Sequence, residues 1–274
     1  MEEVTDIRLV FFSGVLIAGM GAEWFWPRRP RVQRRSQRWP LNFSLTAFNS
    51  ILAHITIGGL PVALAVAAQK DGYGLLPWLG LGGVWAIFIS YLALDALIYF
   101  QHRLFHWHPL LFRLHAVHHA DLDLDVTSGF RFHPLEIFLS LIIKSVVIFA
   151  MGAHPMGVLV FEVLLNAGSL FNHCNINIRG RVDHFLRIFI VTPDMHRIHH
   201  SQTPAETDSN FSFTISIWDR LGGTYTPHPK KTQQDIEIGL SQYKDPIYMS
   251  LKGLFFLPFH KVTSTGESED NDVG

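Results

Sequence analysis

Asp95-Ala-Leu-Ile-Tyr-Phe-Gln-His-Arg-Leu-Phe-His106 closes a run, Gly72 to Leu94, in which 23 residues contain no Asp, Glu, Lys or Arg. A helix over such a run is long enough to cross a hydrocarbon core about 30 Å thick. At helical spacing Asp95, Tyr99, His102 and His106 share one face as the helix leaves the bilayer. The stretch therefore reads as a membrane helix that carries imidazoles out at its end.

The surrounding sequence extends this reading. Leu41 to Gln69 is free of the same four residue types over 29 positions and predicts a second span. Ile7 to Trp26 predicts another, with Arg8 and Glu23 near its ends and Trp24 and Trp26 as an interfacial belt. Leu135 to Gly152 and Met156 to Phe171 flank a Gly-Ala-His-Pro turn and predict a helical hairpin, with Lys144 and Glu162 placed to pair across it. A composition 48% hydrophobic and only 16% charged excludes an ordinary water-soluble domain of this length. The expected fold is all-α, an integral membrane bundle of about 4–5 membrane-embedded helices, forming a single domain over residues 1–261. Residues 262–274 are polar and acidic and predict a disordered tail. No nucleic-acid partner is expected.

The pattern His-x-x-His-His occurs twice, at His115/His118/His119 and at His196/His199/His200. With 16 His in the chain, chance placement would yield only roughly 0.05 such triplets. Positions i, i+3 and i+4 project from one helical face, so each triplet offers clustered nitrogen donors. His102 and His106 add a pair upstream, and His173 in Phe-Asn-His-Cys-Asn is a ninth donor. One zinc ion needs three or four protein ligands, so this number predicts two metals. An all-imidazole set suits iron, zinc, copper or nickel and disfavours magnesium and calcium. A hydrolytic zinc site is the alternative, but no His-Glu-x-x-His supplies its usual general base. The single Cys174 excludes disulfides and Cys-x-x-Cys chemistry and reads as a packed residue.

Topology points the same way. Six arginines lie between Arg28 and Arg38, which assigns that connection to the cytoplasm and also suits a solvated loop on anionic lipid. Following the spans from there brings all three histidine clusters and His173 to the same cytoplasmic face. Asp95 and Asp194 are placed to accept the second N–H of a metal-bound imidazole, although Asp194, after Thr192-Pro193, equally fits a helix N-terminus. Phe100, Phe105, Trp107, Phe130 and Phe132 either line an apolar substrate channel or pack as belt residues. Phe211 to Ile217 alternates like a strand, yet Gly222-Gly223 just beyond favours a helix. Tyr248 to Phe259 suits the membrane surface.

Asp95 to His106, His115 to His119, Arg131-Phe-His-Pro-Leu-Glu136, Phe171 to Asn175, Thr192 to Ser201, and Asn210 to Tyr225 with Trp218-Asp-Arg220 together resemble the fatty acid hydroxylase and sterol desaturase superfamily of membrane di-iron oxygenases. The resemblance covers roughly Tyr91 to Tyr225. It implies a cytoplasmic helical cap carrying a binuclear site of two Fe ions, with zinc acceptable to the same imidazoles. The ligands it implies are His102, His106, His115, His118, His119, His173, His196, His199 and His200. Asn177 stands where some members have a further ligand histidine, and His133 fits a family position without an assigned role. O2 would be co-substrate, and electrons would come from a separate ferredoxin- or cytochrome-type donor with its reductase, because no Gly-x-Gly-x-x-Gly fingerprint is present.

The implied reaction is hydroxylation or desaturation of an unactivated C–H bond in a lipid such as a sterol, fatty acyl chain or ether lipid. Lipid chains offer little to acids, bases or hydrolytic metals, and a redox metal with oxygen supplies what they lack. A membrane metal-binding or transport protein is the rival from another class, but transport favours ligands spread along a path through the bilayer.

Overall fold

The computed structural model describes residues 2–57 and 59–260; the acidic tail lies outside the described residues. The regular structure among the described residues is helical, with isolated bridges only. Its elements are α1 (Glu2–Phe25), α2 (Arg35–Ile55), α3 (Leu60–Asp71), α4 (Leu75–Trp78), α5 (Gly83–Trp107), α6 (Pro109–His119), α7 (Pro134–Met151), α8 (Pro155–His173), α9 (Gly180–Leu186), α10 (Pro193–His199), α11 (Pro204–Thr207), α12 (Ile217–Leu221) and α13 (Leu251–Phe256). A 3-10 turn, Val126–Phe130, links α6 to α7. Five helical segments, Ile7–Phe25, Arg35–Trp78, Gly83–Trp107, Pro134–Met151 and Pro155–His173, are long and apolar enough to cross a membrane.

Local chemistry sets the boundaries. Pro109, Pro134, Pro155 and Pro193 each begin a helix, where a missing N–H costs nothing and φ is already helical. His133 and His154 cap α7 and α8 by accepting from the backbone N–H two residues on. α7 ends at Gly152, which adopts φ 62°. At Gly74, with φ 107°, a Cβ would lie 2.2 Å from the Gly152 nitrogen. Only glycine there lets the α3–α4 connection close against the α7–α8 turn.

α8 is the central helix, packed by α1, α3, α5 and the 3-10 turn. One apolar core joins Ala65, Leu94, Ile98, Ile148, Val158 and Phe161 from α3, α5, α7 and α8. A second seats Leu45 of α2 and Ala116 and Val117 of α6 against Leu254 and Leu257. Part of the Tyr248 to Phe259 stretch, with Leu254 and Leu257 buried, is thereby used inside the protein, while Phe256 and Phe259 remain exposed.

Several sequence expectations change. The Leu41 to Gln69 run holds two helices, because Pro61 cannot continue a helix from the preceding turn and instead opens α3. The Gly72 to Leu94 run is interrupted as well: Gly80 and Gly83 take positive φ, so the span starts at Gly83 and continues to Trp107. Glu162 pairs with Arg8 of α1 instead of Lys144. Phe211 to Ser216 is neither strand nor helix. It is an irregular, bent segment touching Ile190 through one bridge at Ile215, and only Ile217–Leu221 is helical. The arginine-rich connection is largely spent internally: Arg28 pairs with Asp194, Arg35 with Glu23, and Arg38 with Asp121 and Asp125. Arg29 donates to the Ile236 carbonyl, which leaves Arg31 and Arg34 exposed.

Candidate metal centre

The nine histidines converge from four helix ends. His102 and His106 lie near the end of α5, His115, His118 and His119 on α6, His173 at the end of α8, and His196, His199 and His200 on and just after α10. The α5–α6 turn at His108 folds the first two runs face to face, bringing His102 Nε2 within 3.0 Å of His115 Nε2. Thr192 and Pro193 start α10, so its histidines point back at the end of α8. Two groups result: His102, His106, His115, His119 and His199, and His118, His173, His196 and His200. Within each group the ligand atoms lie within 4.8 Å of one another. The contiguous pair His118 and His119 divides between the groups, as does His199 with His200. Eight of the nine are buried, and His106 is half-buried.

The hydrogen bonds behind the rings fix their tautomers. His102 Nδ1 donates to the Phe211 carbonyl at 2.8 Å, His118 Nδ1 to Arg131 at 3.2 Å, His173 Nδ1 to Ser169 at 2.6 Å and His199 Nδ1 to Ser209 at 2.8 Å. A carbonyl only accepts, so each of these neutral rings keeps a lone pair on Nε2. His115 Nδ1 faces the Glu136 carboxylate at 2.7 Å, with the same result. Consequently His118 Nε2 and His173 Nε2, 3.0 Å apart, present lone pairs to each other, as do His102 and His115. Such pairs repel unless a cation lies between them. His196 Nε2 and His200 Nε2 each approach His173 Nε2 to 3.1 Å.

These residues fit metal ions. Two bonds of about 2.1 Å at right angles place their nitrogens about 3.0 Å apart, which matches the closest pairs. His106, His119 and His199 each bury an Nε2 with no hydrogen-bond partner among the described residues, and orphaned buried nitrogens of this kind call for a ligand. Burial is the first cause that pushes the imidazoles of His118, His119, His196 and His200 far below the usual histidine range, with neighbouring imidazoles adding to it. Burial likewise lowers His199 to about 3. At neutral pH these rings are uncharged and able to donate.

A polar girdle supports α6. Arg38, 2% exposed, bonds both Asp121 oxygens at 2.7 Å and Asp125 at 2.6 Å. Burial pushes the Asp121 carboxyl up, but Arg38 and Arg131 outweigh it and hold the group below the usual carboxylate range. Arg131, fully buried, donates to the Val117 carbonyl while its own carbonyl orients His118.

Neither Asp95 nor Asp194 touches an imidazole. Asp95 accepts from the Trp218 indole at 2.7 Å and from the Ile215 amide at 3.2 Å. It points sideways from α5 to the 211–218 segment instead of along the helix to His102. Asp194 sits in the first turn of α10 and pairs with Arg28 and Arg197, as its position after Thr192-Pro193 allowed. His133 caps α7 and faces the Phe255 carbonyl, and Asn177 is exposed; both lie outside the two groups. Sequence reasoning missed Glu136. Its only signal was a carboxylate in the first turn of an apolar helix, where the rule that metal-bound imidazoles lean on carboxylates applies. Asp219 was missed too: it accepts from the Phe211 and Ser212 amides and so steadies the carbonyl that orients His102.

A cavity of about 500 Å³ opens onto this centre. His102, His115 and Glu136 stand at one end, and Phe132, Phe213 and Ile98 are among its apolar walls. Phe105 and Phe130 line it also, whereas Phe100 and Trp107 are exposed on the outside.

The fold and site define a helical membrane protein with a paired all-histidine centre at the mouth of an apolar cavity. Residues 87–224 match the fatty acid hydroxylase family model, and the chain belongs to that family. It is 34% identical to the ornithine lipid hydroxylase OlsE of Rhizobium tropici over 52% of this chain and 42% of the relative. It is 28% identical to the alkylglycerol monooxygenase of Xenopus tropicalis over 84% of this chain and 50% of that protein. The sphingolipid C4-hydroxylase sur2 of Schizosaccharomyces pombe is 28% identical over 63% of this chain and 58% of its own length. The chain thus spans about half the length of the curated relatives it matches. No solved structure matches it significantly.

Proposed function

We propose that this protein is a membrane di-iron, O2-dependent oxidoreductase that hydroxylates or desaturates an unactivated C–H bond of a lipid. The observation that carries the reading is the division of nine imidazoles into groups of five and four beside an apolar cavity. His102, His106, His115, His119 and His199 would hold one iron, and His118, His173, His196 and His200 the other. Five imidazoles in one group exceed the four ligands of a tetrahedral zinc site, which favours iron. When bound, the irons supply the reduction of dioxygen and the removal of hydrogen from carbon, chemistry that no side chain performs.

The protein's own contribution is positioning. The carbonyls of Phe211, Arg131, Ser169 and Ser209 fix four rings in one tautomer. Phe132, stacked on His118 with centroids 4.5 Å apart, seals the ring from the cavity side and keeps water away from the reacting carbon. Substrate enters from the membrane, because the cavity lies among α1, α2, α5, α7 and α8. Reducing equivalents come from a separate donor, and the centre faces the cytoplasm by the positive-inside rule.

The test compares lipid extracts of cells with and without the protein. The expected product is one oxygen atom heavier than its precursor, or two hydrogens lighter for desaturation, with oxygen from labelled dioxygen and complete loss in His196→Ala. Oxygen derived from labelled water, with anaerobic turnover, would replace this reading with a zinc hydrolase.

A further inference from the structure

The cavity has a second end. From Glu136 it follows one face of α7 past Ser140 to Lys144, where Arg8 of α1 and Asn166 of α8 also line it. Positions 136, 140 and 144 are each four apart and so lie along one helical stripe. Eight residues of helix rise about 12 Å, which separates the Lys144 level from the histidine level.

The charges at this end do not balance. Arg8 and Glu162 pair and neutralise each other. Lys144 is within electrostatic range of both, and it lines the cavity while the Glu162 carboxylate is bonded to Arg8. With Arg8 and Glu162 paired, a protonated Lys144 brings one net positive charge to an apolar cavity inside the bundle, where such a charge is costly and marks a ligand path. The histidine end is neutral apart from Glu136, whose carboxylate already serves His115.

We propose that Lys144, with Arg8 beside it, binds the head of a single-chain monoanionic amphiphile such as a long-chain carboxylate, whose tail lies along the cavity toward His102 and His115. The head sits away from the metal centre, so the cavity acts as a ruler. Carbon–carbon bonds of about 1.52 Å in a zigzag advance about 1.25 Å each, so 12 Å corresponds to about ten bonds. The position of attack, which rests on the oxygenase reading above, is then counted from the acid group and falls mid-chain.

Equilibrium retention of radiolabelled palmitate by the purified full-length protein in detergent tests the anion site without turnover. Lys144→Met should weaken retention by at least about 10-fold, while Lys144→Arg retains it. Glu162→Gln frees Arg8 and should tighten retention several-fold, an effect that a merely structural role would not produce. Hexadecanol should bind all four proteins alike. Equal palmitate retention by wild type and Lys144→Met, or no tightening in Glu162→Gln, overturns the proposal, and the second comparison stands even where Lys144→Met does not fold. A lysophospholipid phosphate that displaces palmitate only when Lys144 is present assigns the same site to a phosphate head. With myristate, palmitate and stearate as substrates, oxygen should enter at one fixed distance from the carboxyl group. Retention with no oxidation would sink the oxygenase reading alone; oxidation with no Lys144 dependence would sink the anion site alone.

Discussion

Glu136 Oε1 lies 2.7 Å from His115 Nδ1, a contact between the first turn of α7 and the middle of α6. It is the one carboxylate within 3 Å of a ring nitrogen of the nine clustered histidines among the described residues, and it sets which nitrogen of His115 faces His102. Its second oxygen is buried without a partner, so the carboxylate is committed to this ring.

Glu136→Gln should therefore keep the fold and lower metal affinity on the order of 10–100-fold. Chelator competition followed by elemental analysis measures this. Wild-type affinity in the variant would reduce Glu136 to a packing residue.

The two-group geometry predicts separable metal losses. Wild-type protein purified without chelators should hold two metals per chain, with zinc replacing iron where the host supplies it. His199→Ala and His118→Ala should each lower the content toward one, because they belong to different groups, and both should abolish activity. A fully active preparation with one metal or fewer would refute the paired centre.

Asp95 acts on the centre through the 211–218 segment. Asp95→Asn and Trp218→Phe should each cost about 1–3 kcal/mol of stability and lower activity while leaving metal content near two. Because the two side chains share one hydrogen bond at 2.7 Å, the double variant should cost clearly less than the sum. Strict additivity in thermal unfolding would show that the bond is not coupled to stability.

Arg38→Ala leaves Asp121 and Asp125 buried without their shared cation, at a cost of about 3–5 kcal/mol. In the wild type the folded Asp121 carboxyl titrates below its unfolded range. Its contribution is therefore full above the unfolded value of about 3.9 and is lost as pH falls through and below it. The stability gap between wild type and variant should accordingly narrow with acid. A gap that widens toward pH 4 would assign the effect of Arg38 to packing.

Much of this protein was legible in order along the chain. Uncharged runs that fit a bilayer and imidazoles at i, i+3 and i+4 are local patterns, so the helical membrane class and the nine clustered histidines could be read directly. What the sequence could not reveal is which histidines fall into the same group. Adjacent rings on one helix point about 100° apart, so His118 and His119 part company, and their partners on α5, α8 and α10 are chosen only by how those helices meet. The same limit hid Glu136, 21 residues from His115, and misassigned Asp95, whose helical alignment with His102 was real but whose carboxylate turns to Trp218. It also concealed that Arg28, Arg29, Arg35 and Arg38 are spent on internal carboxylates and carbonyls. Sequence determines the periodic faces a helix offers; only packing in three dimensions decides which groups meet across them, because every such contact joins residues whose separation along the chain carries no regular signal.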